Sequence, residues 1–242
     1  GSVVSMSESE WDRIYELTKN IDKGRCEIGI VLETWTADFK TKIGESAEYK
    51  QELTITDSPT LDNIVVTDEG IAKAYIPNVY ECMSLLSKKR VKVTANANKH
   101  ATIKSITVSV GTFNKTVNTS TADVLFDGLT NANSEITYTI TATDSRNNVT
   151  TWVQKAKYHQ YVRPSIINLN VARNGAESSN GAISADGEYW NGKVGNTANA
   201  INITITGSAT GSTTGILNSN KWSATKPIGG ANPNQAYTYT LT

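Results

Sequence analysis

Cysteine and histidine are nearly absent: the 242 residues hold two cysteines, two histidines, two methionines and five prolines. Cys26 and Cys82 are too few for a disulfide-built scaffold. They read as two free thiols or as one disulfide. Neither is close in sequence to His100 or His159, and no protease-like signature surrounds them, so a catalytic thiol is not expected. Four such residues, all far apart, match no zinc spacing, and no metal or cofactor is expected. A charge excess is missing too. Lys plus Arg comes to 23 and Asp plus Glu to 23, which argues against a nucleic-acid partner, since that surface needs a basic excess. No run approaches the roughly 20 apolar residues of a membrane span, so no membrane insertion is expected.

What is abundant is small and neutral: 32 Thr, 23 Asn and 21 Ser. Threonine on this scale, in strand-like runs, points to sheet. Charge is unevenly spread. Residues 1–90 hold 27 charged side chains and residues 164–242 hold seven, a shift that indicates more than one module.

Along the chain, Cys26 to Trp35 (CEIGIVLETW) reads as a strand, Lys40 to Gly44 as a turn and Tyr49 to Ile55 as a returning strand. Ser9 to Lys19 is ambiguous between an irregular edge and a helix with Trp11, Ile14, Tyr15 and Leu17 on one face, capped by Ser7 or Ser9. Ile76 to Lys89 reads as one or two helical turns capped by Asn78. Arg90 to Ala97 alternates strictly, with Val91 and Val93 inward and Lys92 and Thr94 outward. Lys104 to Ser120 reads as a hairpin turning at Gly111, and Ser134 to His159 as a long hairpin turning at Asp144–Asn148.

Two stretches recur. SPTLDNIVV, beginning at Ser58, returns as RPSIINLNV, beginning at Arg163; Pro59 and Pro164 lie 105 residues apart. NANSEITYTIT at Asn131 returns as NPNQAYTYTLT at Asn232, 101 residues on. Two ordered matches at one period mark tandem modules. The expected division is an N-terminal β module over 1–55, read as partial, a sandwich over 56–162, and a second sandwich over 163–242 that stops short of its last hairpin. Each full module has roughly seven short alternating segments in about 100 residues, which predicts an all-β chain of tandem immunoglobulin-like or fibronectin-like Greek-key sandwiches. The short proline-bearing linkers favour a semi-rigid rod.

Candidate sites are sparse. Asp57, Asp62, Asp68 and Glu69 crowd the first module joint, as calcium-binding carboxylates or as a solvated junction. Lys88, Lys89 and Arg90 read as outward charges opening a strand, or as an anion site. Tyr158, Tyr161 and Trp152 gather near the second joint. Tyr189 and Trp190 fall in a Gly- and Asn-rich region, and are the candidate ligand-binding residues, as platforms for a pyranose ring; the competing reading is core packing. No paired carboxylates emerge, so a catalytic site is not expected.

The run ITYTITATDSRNNVTTWVQKAKYHQYVRPSI, Ile136 to Ile166, resembles a repeated signature of tail-associated structural proteins from siphoviruses of Gram-positive bacteria. There an alternating strand leads to Ala-Thr-Asp-Ser-Arg-Gly-Asn, a return strand and a Pro-Pro-Ile start of the next module. Ala142, Thr143, Asp144, Ser145, Arg146 and Asn148 match; Asn147 stands for the usual glycine and Arg163-Pro164-Ser165-Ile166 for the double proline. Cys26 to Gly44 is similar to the Cys-…-Thr-Tyr-…-Ile-Gly segment of the preceding module, with Trp35 for tyrosine. The resemblance implies immunoglobulin-like modules and a non-enzymatic virion component of the phage tail tip, baseplate or fibre. Such a component acts as a spacer and in host cell attachment, with other tail or baseplate proteins and host cell-wall polysaccharide as partners. A bacterial surface adhesin or carbohydrate-binding module on the same fold is the alternative.

Overall fold

The computed structural model describes residues 5–194, 197–198, 201–207, 211–230 and 239–241. Strands take 51% and helices 8%, so the chain is all-β. One α-helix, α1 (Glu8–Leu17), comes first. The first strands are β1 (Cys26–Ile30), β2 (Glu33–Trp35), β3 (Lys42–Glu45), β4 (Tyr49–Leu53), β5 (Thr60–Asp68), β6 (Cys82–Met83) and β7 (Lys89–Asn96). Then follow β8 (Ile103–Val110), β9 (Phe113–Val117), β10 (Thr121–Phe126), β11 (Glu135–Asp144), β12 (Val149–His159), β13 (Ser165–Arg173) and β14 (Gly181–Glu188). The last are β15 (Lys193–Val194), β16 (Thr197–Ala198), β17 (Asn202–Gly207), β18 (Gly211–Thr214), β19 (Ile216–Asn218), β20 (Lys221–Ile228) and β21 (Tyr239–Leu241). The chain divides into two compact units. The first comprises Gly1–Glu69, Lys88–Thr130 and Glu135–Ala156; the second comprises Gly70–Ser87, Asn131–Ser134 and Lys157–Thr242.

The first unit holds a sheet ordered β10-β7-β5 and, facing it, the strands β12-β11-β8-β9. Alternation builds the core. Val91, Val93 and Ala95 of β7, Ile106, Val108 and Val110 of β8, Ala122, Val124 and Phe126 of β10, and Ile136, Tyr138, Ile140 and Ala142 of β11 are all buried. Both hairpins form as read, with Gly111 at φ +60° in the tighter turn, where a left-handed backbone suits glycine. The helical alternative holds at the N-terminus. Ser7 caps α1, accepting from Glu10 N while the Glu10 carboxylate accepts from Ser7 N at 2.7 Å, a reciprocal capping box. That backbone bond holds the Glu10 carboxyl below its ordinary range.

Two expectations fail here. Lys89 does not point outward: it is fully buried, its ammonium 2.9 Å from the sheltered carboxylate of Asp68, the residue beside it in the β5–β7 register. Three of the acidic residues at the joint have separate partners. Asp68 faces Lys89, Glu69 pairs with Arg90, and Asp62 accepts from Asn96 Nδ2 at 2.7 Å. Ile76 to Lys89, in the second unit up to Ser87, is not helical. Leu85 has φ +66°, and backbone donors are drawn elsewhere: Ser84 N to the His159 carbonyl, Met83 N to Ser87 Oγ. β6 then pairs in parallel with Tyr158 and His159. Asn78 does cap, but caps a turn, accepting from Tyr80 N at 3.1 Å. Both cysteines are free thiols.

The second unit carries a sheet ordered β13-β14-β20-β19 and strands ordered β18-β17-β21. Its core gathers Ile183, Ala185, Tyr189, Trp222, Ala224 and Ile228, with Ile201 against them. β5 and β13 begin and end 105 residues apart (60 to 165, 68 to 173), the offset of the first sequence repeat. The second repeat falls mostly outside the described residues.

Candidate functional site

The second unit contains a cleft of about 560 Å³ lined by Tyr75, Ile76, Pro77, Asn78, Glu81, Lys157, Tyr158, His159, Gln160, Trp190, Gly192 and Lys193. Three stretches distant in sequence form it: the loop before β6, the end of β12, and the turn after β14. Parallel pairing of β6 with Tyr158 and His159 brings the first two together. His159 Nε2 then lies 2.8 Å from Glu81 Oε2, both side chains largely sheltered.

Trp190 forms the apolar wall. It is 9% exposed and packs on Ala72 and Met83, with Ile76, Leu86, Tyr161 and Val162 around them. The rings of His159 and Tyr161 meet it edge-on, with centroids 6.2 and 5.9 Å away. A Cβ at Gly192 would stand 1.9 Å from Trp190 Cζ2, so the indole lies against a backbone that only glycine keeps thin. Tyr189, its neighbour, turns the other way. It is 2% exposed, belongs to the sandwich core, and donates from its hydroxyl to Asn191 Oδ1 at 3.0 Å. The two candidate aromatics are therefore separated, one into the core and one into the cleft wall. Beneath the rim, burial pushes the Tyr158 phenol up from its ordinary value.

Around this wall stand polar groups of mixed sign: the Glu81–His159 pair, the amides of Asn78 and Gln160, and the exposed ammonium groups of Lys157 and Lys193. An apolar ring face beside convergent donors and acceptors suits a sugar-like ligand. Glu81 is the one carboxylate among the lining residues, and hydrolysis of a glycosidic bond ordinarily needs two. Sequence reading singled out Trp190 in its Gly- and Asn-rich region. It missed Glu81 and Tyr75, because His159 and Glu81 lie 78 residues apart and meet only through strand pairing.

The turn that carries the family resemblance lies in the first unit. Asp144 accepts from the backbone of Arg146 and Asn148 at 2.9 and 2.8 Å, which folds the turn, and Asn147 takes φ +59° where the resembled motif has glycine. Arg146 is wholly buried, and its guanidinium hydrogen bonds go to main-chain carbonyls: Tyr15 and Thr18 at the end of α1, and Asn98 and Lys99. α1 has no basic residue in its last turn, so Arg146 supplies the cation its carbonyl end favours. Asn148 Nδ2 donates to the carbonyls of Ile55 and Asp57 at 3.2 and 3.3 Å, and Asn147 Nδ2 to Asp22 at 2.8 Å. The turn is a lock that fastens residues 15–57 to the sandwich. Searches of the chain against protein-family models and against curated proteins find no match.

Proposed function

We propose that the chain is a structural component of a siphovirus tail, built of immunoglobulin-like modules, that contacts host cell-wall saccharide through the Trp190 cleft and performs no catalysis. The observation that carries this reading is the use made of the resembled turn. Asp144 folds the turn, and Arg146, Asn147 and Asn148 spend their side-chain polar groups on fastening distant chain segments, which is the work of a scaffold. The strand order β10-β7-β5 over β12-β11-β8-β9, partly repeated as β13-β14-β20, supports immunoglobulin-like modules in tandem. The single carboxylate in the cleft supports binding over hydrolysis.

Antibodies against the chain should decorate the tails of virions whose genome encodes it. Decoration of bacterial surfaces with none on virions would overturn the tail assignment in favour of an adhesin. Purified Gram-positive walls should retain the chain, and walls stripped of polysaccharide should not. Tyr75→Ala should weaken retention with little change in melting temperature, since Tyr75 is 45% exposed. A wild-type chain that no wall retains is a spacer.

A further inference from the structure

β1 and β4 pair antiparallel, as do β2 and β3, and no third strand joins either pair among the described residues. A lone two-stranded ribbon is marginal in water, and its free edges invite pairing. The β1–β4 part has two unlike faces. Cys26, Ile28, Ile30, Tyr49, Gln51 and Leu53 share one, while Glu27, Lys50 and Glu52 share the other. On the charged face Glu27 stands directly opposite Glu52, an arrangement of like charges that destabilises a sheet. Glu27 is compensated by Lys50 at 2.7 Å. Glu52 has Arg25 at 3.8 Å, with both side chains about two-thirds exposed.

We propose that β4 is the docking edge for a second copy of this chain, paired antiparallel with its counterpart about a two-fold axis at Gln51. Tyr49-Lys50-Gln51-Glu52-Leu53 is self-complementary about its centre. In that register Tyr49 meets the partner's Leu53 on the apolar face, and Lys50 meets the partner's Glu52 on the charged face. Each copy thus places an ammonium opposite the carboxylate that the other leaves least compensated. The interface is isologous, so both contacts occur twice. The other edge lacks this match. Pairing β1 on itself about Ile28 sets Glu27 against the partner's Gly29 and brings no cation. Docking at β4 gives a four-stranded sheet whose one face carries Tyr49 and Leu53 of each copy, with the two Gln51 amides meeting between them at the axis.

Sedimentation of the whole chain over a concentration series tests this. The wild type should form a reversible dimer that weakens as salt rises. Lys50→Glu and Glu52→Lys should each weaken it by roughly tenfold or more, because each sets like charges across the interface twice. Mixed together, the two variants should form a heterodimer, since glutamates at 50 and 52 then face lysines at 52 and 50. The double variant Lys50→Glu/Glu52→Lys should dimerise again. Lys50→Glu also leaves Glu27 uncompensated within its own ribbon, so the double variant, which sets the lysine at position 52 directly opposite Glu27, separates loss of the dimer from loss of the β1–β4 pairing. A chain that stays monomeric throughout, or a dimer indifferent to both reversals, overturns the proposal and leaves the apolar face to a different occupant.

Discussion

The β10-β7-β5 sheet of the first unit and the β13-β14-β20 strands of the second share a strand order but not a chemistry. In the first, the central strand buries a lysine against an aspartate and closes with valines. In the second, the central strand is small: Gly181, Ala182, Ile183, Ser184, Ala185, Asp186 and Gly187. A Cβ at Gly187 would fall 1.8 Å from the Ser165 carbonyl oxygen, which accepts from Trp222 Nε1 at 3.1 Å. One sheet is fixed by a buried ion pair beside a polar lock, the other by close backbone approach beneath an aromatic ring. The shared order shows that topology follows alternation and turns, while the means of holding it is open to each module.

Four comparisons of variants sharpen that contrast, beginning with the largest. Arg146→Met should lower the stability of the first unit by about 4 kcal/mol or more, because several main-chain carbonyls lose a charged donor. Differential scanning calorimetry should show the loss, with residues 15–24 becoming accessible to hydrogen exchange. Lys89→Ala should cost about 3–5 kcal/mol by stranding Asp68, whereas Lys89→Met with Asp68→Leu should restore most of it. A double variant as unstable as the single would mean that the pair is needed as such. Gly187→Ala should cost the second unit about 2 kcal/mol through displaced backbone. A melt that leaves this variant unchanged would show that β13 yields freely. The smallest difference is at Asn147. Alanine there should be about 1 kcal/mol worse than glycine, since alanine pays for the left-handed backbone. Glycine itself should stay close to wild type, trading that strain against the bonds to Asp22 and Lys104. Equal urea midpoints for the two would remove the backbone argument.

Most strands and both hairpin turns were legible because period-two alternation and positive-φ turn residues are local signals, whereas Lys40 to Gly44, read as a turn, supplies most of strand β3. The capped helix was half legible: Ser7 with Glu10 is a capping box in sequence, but nothing local announced that Tyr15 and Thr18 would meet an arginine. Lys89 misled for a different reason. Alternation with Val91 and Val93 places it inward, yet three adjacent basic residues look like surface, and its partner is visible only through the β5–β7 register. Arginine in a polar turn ordinarily reads as exposed, so the burial of Arg146 was hidden. The cleft was least legible, since its groups come from three separate stretches and Ile76–Ser87 was read with the wrong period.

The two carbonyls at the end of α1 that Arg146 holds lie 128 and 131 residues earlier in the chain. On the ribosome, α1 is made first and its anchor far later. At about 5–20 residues per second the helix waits on the order of ten seconds for its arginine, longer than a small domain needs to fold. A helix of 10 residues is marginal alone. The N-terminal segment therefore docks only once the β11–β12 turn has been made. An arginine that arrives in a misfolded turn cannot close the lock, which makes docking of this segment a readout of whether the sandwich behind it has folded correctly.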